Sequence, residues 1–233
     1  MGLEHSPTIV TNGLVYYLDA ANTRSYSGSG LTANSLSGSL SGSLVNGVGF
    51  TSLNNGSFLF DGTNDVIDLG DNFDMGLSSF SFCAYFKANN ISNLQGIFSK
   101  SIAAAAGSRY AVFVYNNKIN TFMSNGGATD VETPSSQTLS INTWYHIGAV
   151  YNRADKLILF INGIFDSSAT ISQFQANDFQ ATHIFRIGSY SDAGNSANYF
   201  LNGSISQLQI YNRVLSAQEI LQNYNATKGR YGL

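Results

Sequence analysis

Apolar and polar residues alternate along most of this chain in short runs. In Phe80–Lys87 the residues Phe80, Phe82, Ala84 and Phe86 share one face, the period of two that marks a strand with one side in a core. Leu14–Ala20, Ser57–Phe60, Val66–Leu69, Tyr110–Tyr115, Lys118–Met123, Trp144–Tyr151, Lys156–Ile161, Ile164–Asp166, Ile184–Gly188 and Gln207–Tyr211 read as further strands. Turn residues separate them. Asp61-Gly62 lies between the second and third, Asn116-Asn117 makes a two-residue hairpin, and Asn162-Gly163 follows Ile161, all residues that tolerate positive φ. Leu157–Ile161 is apolar on both faces, so it is predicted to sit centrally, beneath a neighbouring layer or concavity. A single helix is announced near the end, where Ser216 and Glu219 form a capping box ahead of Ile220. Many short strands, Gly/Asn turns and one short C-terminal helix predict an all-β, two-sheet antiparallel sandwich.

The length suits one large sandwich spanning 14–223, flanked by an extended arm at 1–13 and a tail at 224–233. Between 25 and 57 the pattern turns Ser/Gly-rich, with the near-repeat Ser-Leu-Ser-Gly-Ser-Leu-Ser-Gly-Ser-Leu. It reads as a long surface excursion pinned by isolated leucines. Arm and tail carry few core residues and are expected to lie outside the sandwich as protein-contact segments. Leu14–Ala20 is expected to pair with Ser204–Asn212, which closes the sheet and brings the chain ends together.

Composition narrows the class. Charged residues make up 11% of the chain, against about 25% in an average soluble domain, so solubility rests on Asn, Ser, Thr, Gly and Gln. A net charge of -3 with scattered Lys and Arg predicts no nucleic-acid partner, which would require a basic stripe. Cys83 is the only cysteine; it permits no internal disulfide and is expected to be buried as a small hydrophobe. No leader-like opening and no long apolar run are visible, so neither signal-directed export nor membrane insertion is expected.

Two stretches carry candidate binding chemistry. Asp61, Asn64 and Asp65 open the densest acidic stretch, which continues through Asp68, Asp71, Asn72 and Asp74. Such oxygens suit calcium, but Asp and Asn populate turns for backbone reasons too, and the spacing is not that of an EF-hand. No other cofactor is expected. Tyr190, Asp192, Asn195, Asn198 and Tyr199 cluster in one loop, with rings to stack on a pyranose and amides to read its hydroxyls. The alternative for that loop is a polar rim with packed tyrosines. His5, His146 and His183 lack metal-ligand spacing, and no G-x-S-x-G elbow or phosphate-binding glycine loop occurs.

Separate segments, in order, resemble the laminin-G-like (concanavalin A-like) jelly rolls. These are Phe58-Leu59-Phe60-Asp61-Gly62-Thr63-Asn64-Asp65, the strand Ser79–Phe86, and Trp144-Tyr145-His146-Ile147 with Leu159-Phe160-Ile161-Asn162-Gly163. The closing Asn202–Ile220, with Ile210-Tyr211-Asn212-Arg213-Val214-Leu215-Ser216, completes the set. The resemblance implies a concanavalin/laminin-G-like jelly roll. A narrower likeness, in Ser6–Asn22 and Leu221–Leu233, is to virion proteins of tailed phages, notably marine and cyanobacterial ones. It implies a protein made in the host cytoplasm and built into a particle.

The family includes glucanases, whose retaining members need two carboxylates about 5–5.5 Å apart. Glu4, Glu132 and Glu219 are isolated, so the chain is expected not to be an enzyme. Where the family commonly has W-x-D-L-S-G this chain has Ala33–Gly38, and Ser206-Gln207 replaces the usual Asp-Glu, so a family metal site does not transfer. Two roles remain open. One is a structural virion protein (capsid decoration, head or tail-surface subunit) binding other virion proteins, with homo-oligomers compatible. The other is a glycan-binding adhesin contacting host surface polysaccharide.

Overall fold

The computed structural model describes residues 7–101, 108–126, 129–190 and 198–233. Sixteen strands follow in chain order: β1 Leu14–Asp19, β2 Thr32–Asn34, β3 Ser41–Val45, β4 Gly49–Thr51, β5 Ser57–Asp61, β6 Val66–Asp68, β7 Phe80–Ala88 and β8 Gln95–Lys100. Then come β9 Arg109–Tyr115, β10 Lys118–Ser124, β11 Asp130–Pro134, β12 Trp144–Tyr151, β13 Lys156–Ile161, β14 Ile164–Thr170, β15 Phe185–Ile187 and β16 Asn202–Tyr211. The helix α1, Ala217–Thr227, closes the chain.

The strands form two antiparallel sheets. One runs β14-β13-β12-β7-β16-β5-β4, the other β11-β10-β9-β8-β15-β6-β3-β2. The long β16 has β7 on one side, while β5 and β1 share its other side: Asn202–Ile205 pair with β5 and Gln207–Tyr211 with β1. The predicted pairing of the first and last strands is therefore present, with Asp19 opposite Gln207 and Leu14 opposite Tyr211. Between the sheets lies an aromatic core in which Phe80 stacks on Tyr151 at 4.5 Å and Phe82 lies 4.7 Å from Phe98.

Leu157, Leu159 and Ile161 of β13 enter this core, whereas Phe160 joins Val10, Cys83, Val150, Tyr211, Leu215 and Ile220 on the opposite face. The layer that its two-faced pattern required is thus α1. Ser216 caps the helix by accepting from the Glu219 N–H at 3.2 Å, and Glu219 accepts from the Ser216 N–H at 2.9 Å. Cys83 is buried, and burial pushes its thiol up to about 12.

Two expectations need correction. The Ser/Gly-rich excursion contains β2 and β4, edge strands of the two sheets, and β3, which lies between β2 and β6. Ala33 and Leu44 point into the core, and a Cβ on Gly42 would stand 2.7 Å from side-chain carbons of Ile67 and Leu69. Small residues are thus what let β3 lie against β6.

The strands on either side of the Asp61-Gly62 turn, β5 and β6, belong to opposite sheets. The acidic turn is a corner that carries the chain from one layer to the other.

The other correction is that the tail belongs to the sandwich. Helix α1 runs through residues 224–227, and Tyr231 is buried with its ring stacked 4.1 Å from Tyr85. The described part of the arm is also tied down: the Val10 N–H donates to Asn223 Oδ1 at 2.8 Å and its carbonyl accepts from the Tyr211 hydroxyl at 2.9 Å.

His146 lies on the helix-facing side of β12, its ring 4.7 Å from Tyr85 and 5.7 Å from Tyr224, with Nδ1 buried and unpartnered among the described residues. Burial depresses its pKa from 6.5 to about 3. The unfolded chain binds a proton there near the ordinary value while the folded chain does not. The contribution is therefore complete above pH 6.5 and is lost as pH falls toward 3. Stability is expected to drop by about 2 kcal/mol between pH 7.5 and 5 from this group alone. His183, also lowered by burial, adds in the same direction. Urea melts across that range check it: His146→Leu should show a visibly shallower slope, and an unchanged slope would exclude His146 as its source.

Candidate functional site

A concavity forms at one end of the sandwich, where β7 and β5 finish and β8 and β16 begin. Its volume is about 360 Å³, and Gly62, Asn90, Asn93, Leu94, Gln95, Tyr199, Phe200 and Asn202 line it. Amide side chains and aromatic rings thus face the same space.

Gln95 builds the wall. It is 4% exposed; its Oε1 accepts from the Asn202 N–H at 2.7 Å and its Nε2 donates to the Asn90 carbonyl at 2.8 Å. Asn202 is fixed from the other side, with Oδ1 accepting from Asn89 Nδ2 at 2.9 Å. These bonds lock the β7–β8 loop against the start of β16. Asn93 is exposed at the tip of that loop. Gly96 is what allows the far wall to approach: a Cβ there would fall 1.9 Å from the Ser189 carbonyl carbon, and its N–H donates to the Tyr199 carbonyl at 2.8 Å.

Tyr199 is the unusual residue. It is 40% exposed and held at φ 47°, the left-handed region that a bulky side chain rarely enters. The base on which it stands is closed by the Ser189–Phe200 bridge and by the Tyr190 N–H donating to the Asn198 carbonyl at 3.1 Å. Of the loop residues expected to bind sugar, Tyr199 faces the pocket, and Asn198 supplies that backbone acceptor. Tyr190 is withdrawn: it is 9% exposed, 5.2 Å from Phe113 and 6.3 Å from Phe122, and its ring supports Tyr199 at 6.1 Å. Asp192 and Asn195 lie outside the described residues. Sequence reasoning missed Asn90, Asn93, Gln95 and Asn202, although the amide-rich run Asn89–Gln95 was there to be read.

The acidic corner adjoins this pocket, since Asp61 is the cross-strand partner of Asn202 and Gly62 is in the wall. Its carboxylates shape the turn. Asp61 Oδ1 accepts from the Thr63 and Asn64 N–H groups at 2.8 and 3.3 Å, and the Thr63 bond leads in holding its pKa down. Asp65 is buried, which raises its pKa, and its Oδ2 accepts from the Asp61 N–H at 3.1 Å. The Asn64 carbonyl accepts from Asn46 Nδ2 at 3.0 Å.

No three His, Cys, Asp or Glu side chains converge on a metal position among the described residues. Of the three calcium candidates, Asp61 and Asp65 carry carboxylates, and each already has one oxygen accepting from backbone N–H groups of the turn. Farther along the stretch a protein cation is already in place. The buried Lys100 Nζ lies 2.7 Å from Asp71, 3.1 Å from Asp74 and 2.8 Å from the Asn72 carbonyl.

Glu219 is held down to about 2 by Arg213, whose Nη2 donates to it at 2.6 Å. Glu219 is thereby committed to the cap of α1 and to its ion pair. Glu132 sits on the edge strand β11 opposite Phe122.

Residues 61–221 match the family described as the Concanavalin A-like lectin/glucanases superfamily. No curated protein sequence matches the chain. Among solved structures, the binding domain of Paraclostridial Mosquitocidal Protein 1 is similar with a TM-score of 0.70 at 17% identity, covering 92% of this chain and 52% of that one. Domain 4 of AbnA, a GH43 extracellular arabinanase from Geobacillus stearothermophilus in complex with arabinotriose, has a TM-score of 0.71 at 13% identity, covering 94% and 100%. A Trypanosoma rangeli sialidase in complex with sialic acid has a TM-score of 0.68 at 13% identity, covering 95% and 34%. The chain thus spans about half of the toxin binding domain and a third of the sialidase. At these identities the likeness is one of fold.

Proposed function

The chain belongs to the concanavalin A-like lectin/glucanases superfamily, and from that premise we propose that it is a non-catalytic module that binds glycan at the Tyr199 pocket. One observation carries this: an aromatic ring held in a left-handed backbone conformation over a wall of amide groups. Local strain of this kind persists where the surroundings over-determine it, and it clusters at ligand clamps. A tyrosine face matches the apolar face of a pyranose, and Asn90, Asn93 and Asn202 match its hydroxyls. The named neighbours support the reading, because they include a binding domain and structures holding arabinotriose or sialic acid.

A shallow site of this kind is expected to bind near millimolar, about -4 kcal/mol, so function needs many copies acting together. A particle surface supplies such copies. The likeness of Ser6–Asn22 and Leu221–Leu233 to virion proteins of tailed phages favours that setting, where the domain would sit on head or tail and contact host polysaccharide. A purely structural virion subunit is the second reading. It must dock through a surface other than the tail, which is packed on its own sheet.

Tyr199→Gly separates the readings. Relief of the left-handed backbone is worth about 1–2 kcal/mol and offsets the lost ring contacts, so stability should stay within about 1 kcal/mol of wild type. Binding of multimerised protein on a glycan array should weaken about tenfold, the equivalent of 1.4 kcal/mol. Binding that survives Tyr199→Gly and Asn93→Ala together would place the ligand elsewhere, and silence on every glycan would leave the structural subunit standing.

A further inference from the structure

Resting on the glycan-binding reading, we infer that the Tyr199 pocket selects uncharged sugars and discriminates against sialylated or uronic-acid ones. The eight residues of its wall include no Lys, Arg or His. An acidic sugar entering this space would give up part of its hydration without gaining a cation or a guanidinium fork.

Charge near the rim works against it as well. Asp61 pairs across strands with Asn202, which puts the two backbones about 5 Å apart. Three N–H contacts at the corner hold the charge in place: Asp61 accepts from Thr63 and Asn64, while Asp65 accepts from Asp61. Lys87 of β7 is committed elsewhere, its Nζ lying over the Trp144 ring at 5.4 Å. What the wall does offer is neutral: amide donors and acceptors at Asn90, Asn93 and Asn202, with Leu94 and Phe200 as apolar surface. That set complements hydroxyl and acetamido groups.

Repulsion from Asp61 alone, across about 7 Å of water-like medium, is worth about threefold in affinity. Together with the missing counter-charge, the total preference is expected to be about tenfold. The Asp61 share should shrink in high salt, because exposed charges are screened over about 8–10 Å.

The experiment titrates the full ¹⁵N-labelled chain at low salt with matched pairs of oligosaccharides. The pairs are glucose with glucuronic acid, galactose with galacturonic acid, mannose with mannuronic acid, and N-acetyllactosamine without and with terminal sialic acid. The expected result is that a neutral member shifts the resonances of Gln95, Tyr199 and Asn202 while its acidic partner binds about tenfold more weakly. Asp61→Asn, which keeps the turn-forming oxygen, should then recover about threefold for the acidic member only. Asn93→Lys, at an exposed position, should raise acidic binding further. An acidic member that binds this pocket as tightly as its neutral partner would overturn the selectivity while leaving glycan binding intact. If no member of any pair moves the pocket resonances, the glycan reading itself fails and this inference with it.

Discussion

Replacing Arg153 with Met is expected to lower the unfolding free energy by about 3 to 5 kcal/mol, near the top of the range for single substitutions. Arg153 is 1% exposed, yet no described carboxylate forms an ion pair with it within 4 Å, Asp178 favouring its charge only from farther away. Its guanidinium collects carbonyls from two separate loops: Nη1 donates to Gly76 at 2.5 Å, and Nη2 donates to Phe174 at 2.6 Å and to Asn177. The plane also lies over Phe179 at 4.7 Å. Hydrogen bonds to a charged donor contribute about 1.5–3 kcal/mol each, and a methionine would leave buried acceptors unmatched. For a chain of this size the loss corresponds to about 10 °C in Tm. Arg153→Lys should recover only part, because an ammonium lacks the planar fork that reaches both loops. Urea denaturation checks both variants. A loss under about 1 kcal/mol for Arg153→Met would mean that these carbonyls find other partners.

Nothing in the sequence announced this role. Asn152-Arg153-Ala154-Asp155 reads as an ordinary polar turn between two strands, and an arginine in such a turn is normally a solvated one. What turns it inward is a pair of loops remote in sequence, at 76–78 and 174–177, that need donors.

The strands themselves were legible, because alternation such as Phe80-x-Phe82-x-Ala84-x-Phe86 reports burial directly and needs no knowledge of the partner strand. The Asp61-Gly62 corner was less so. The same turn chemistry serves a hairpin and a crossing between sheets, and only the pairing of Val66–Asp68 with β15 and β3 separates them. The Ser/Gly-rich stretch failed for a related reason. At Gly42 the core volume is filled by Ile67 and Leu69 from the neighbouring strand, so the inward residue is small and the alternation vanishes.

The candidate site divides in the same way. Tyr199 stood out as an aromatic residue in a polar loop, and the structure exposes it at the pocket. Tyr190 had identical local signals and is covered by Phe113 and Phe122 from the strands beneath. Spacing along a loop cannot distinguish a ring offered to solvent from a ring that supports it. Gln95 is a further case: the amide that opens β8 proves to be the buckle that holds the pocket wall because its two ends meet Asn90 and Asn202.

Arg230→Met is expected to cost about 3–5 kcal/mol, the penalty for leaving a buried charge without its partner. Asp19 lies on the outer face of the first strand and is 7% exposed. Its Oδ1 accepts from the Ala21 N–H and Arg230 Nη2 at 3.0 and 2.9 Å. Its Oδ2 accepts from Tyr17 Oη, Gln207 Nε2 and Arg230 Nη1, each at 3.0 Å. Arg230 thus fastens the end of the chain to its beginning with a two-pronged contact, while Tyr231 beside it donates to Ser206 Oγ at 2.9 Å. Removing the guanidinium leaves the carboxylate desolvated with neutral donors only. Asp19→Asn in the same background removes that stranded charge, so the double variant should be more stable than Arg230→Met alone by about 1–2 kcal/mol. Paired urea melts of the two single variants and the double one measure the coupling. Strict additivity would show that the contact carries no energy of its own. An Arg230→Met variant as stable as wild type would return residues 228–233 to the status of a detachable segment, available for docking on another protein. The expected large loss instead makes the C-terminal turn part of the lid over β7 and β12, where Tyr231 covers Tyr85 and Trp144.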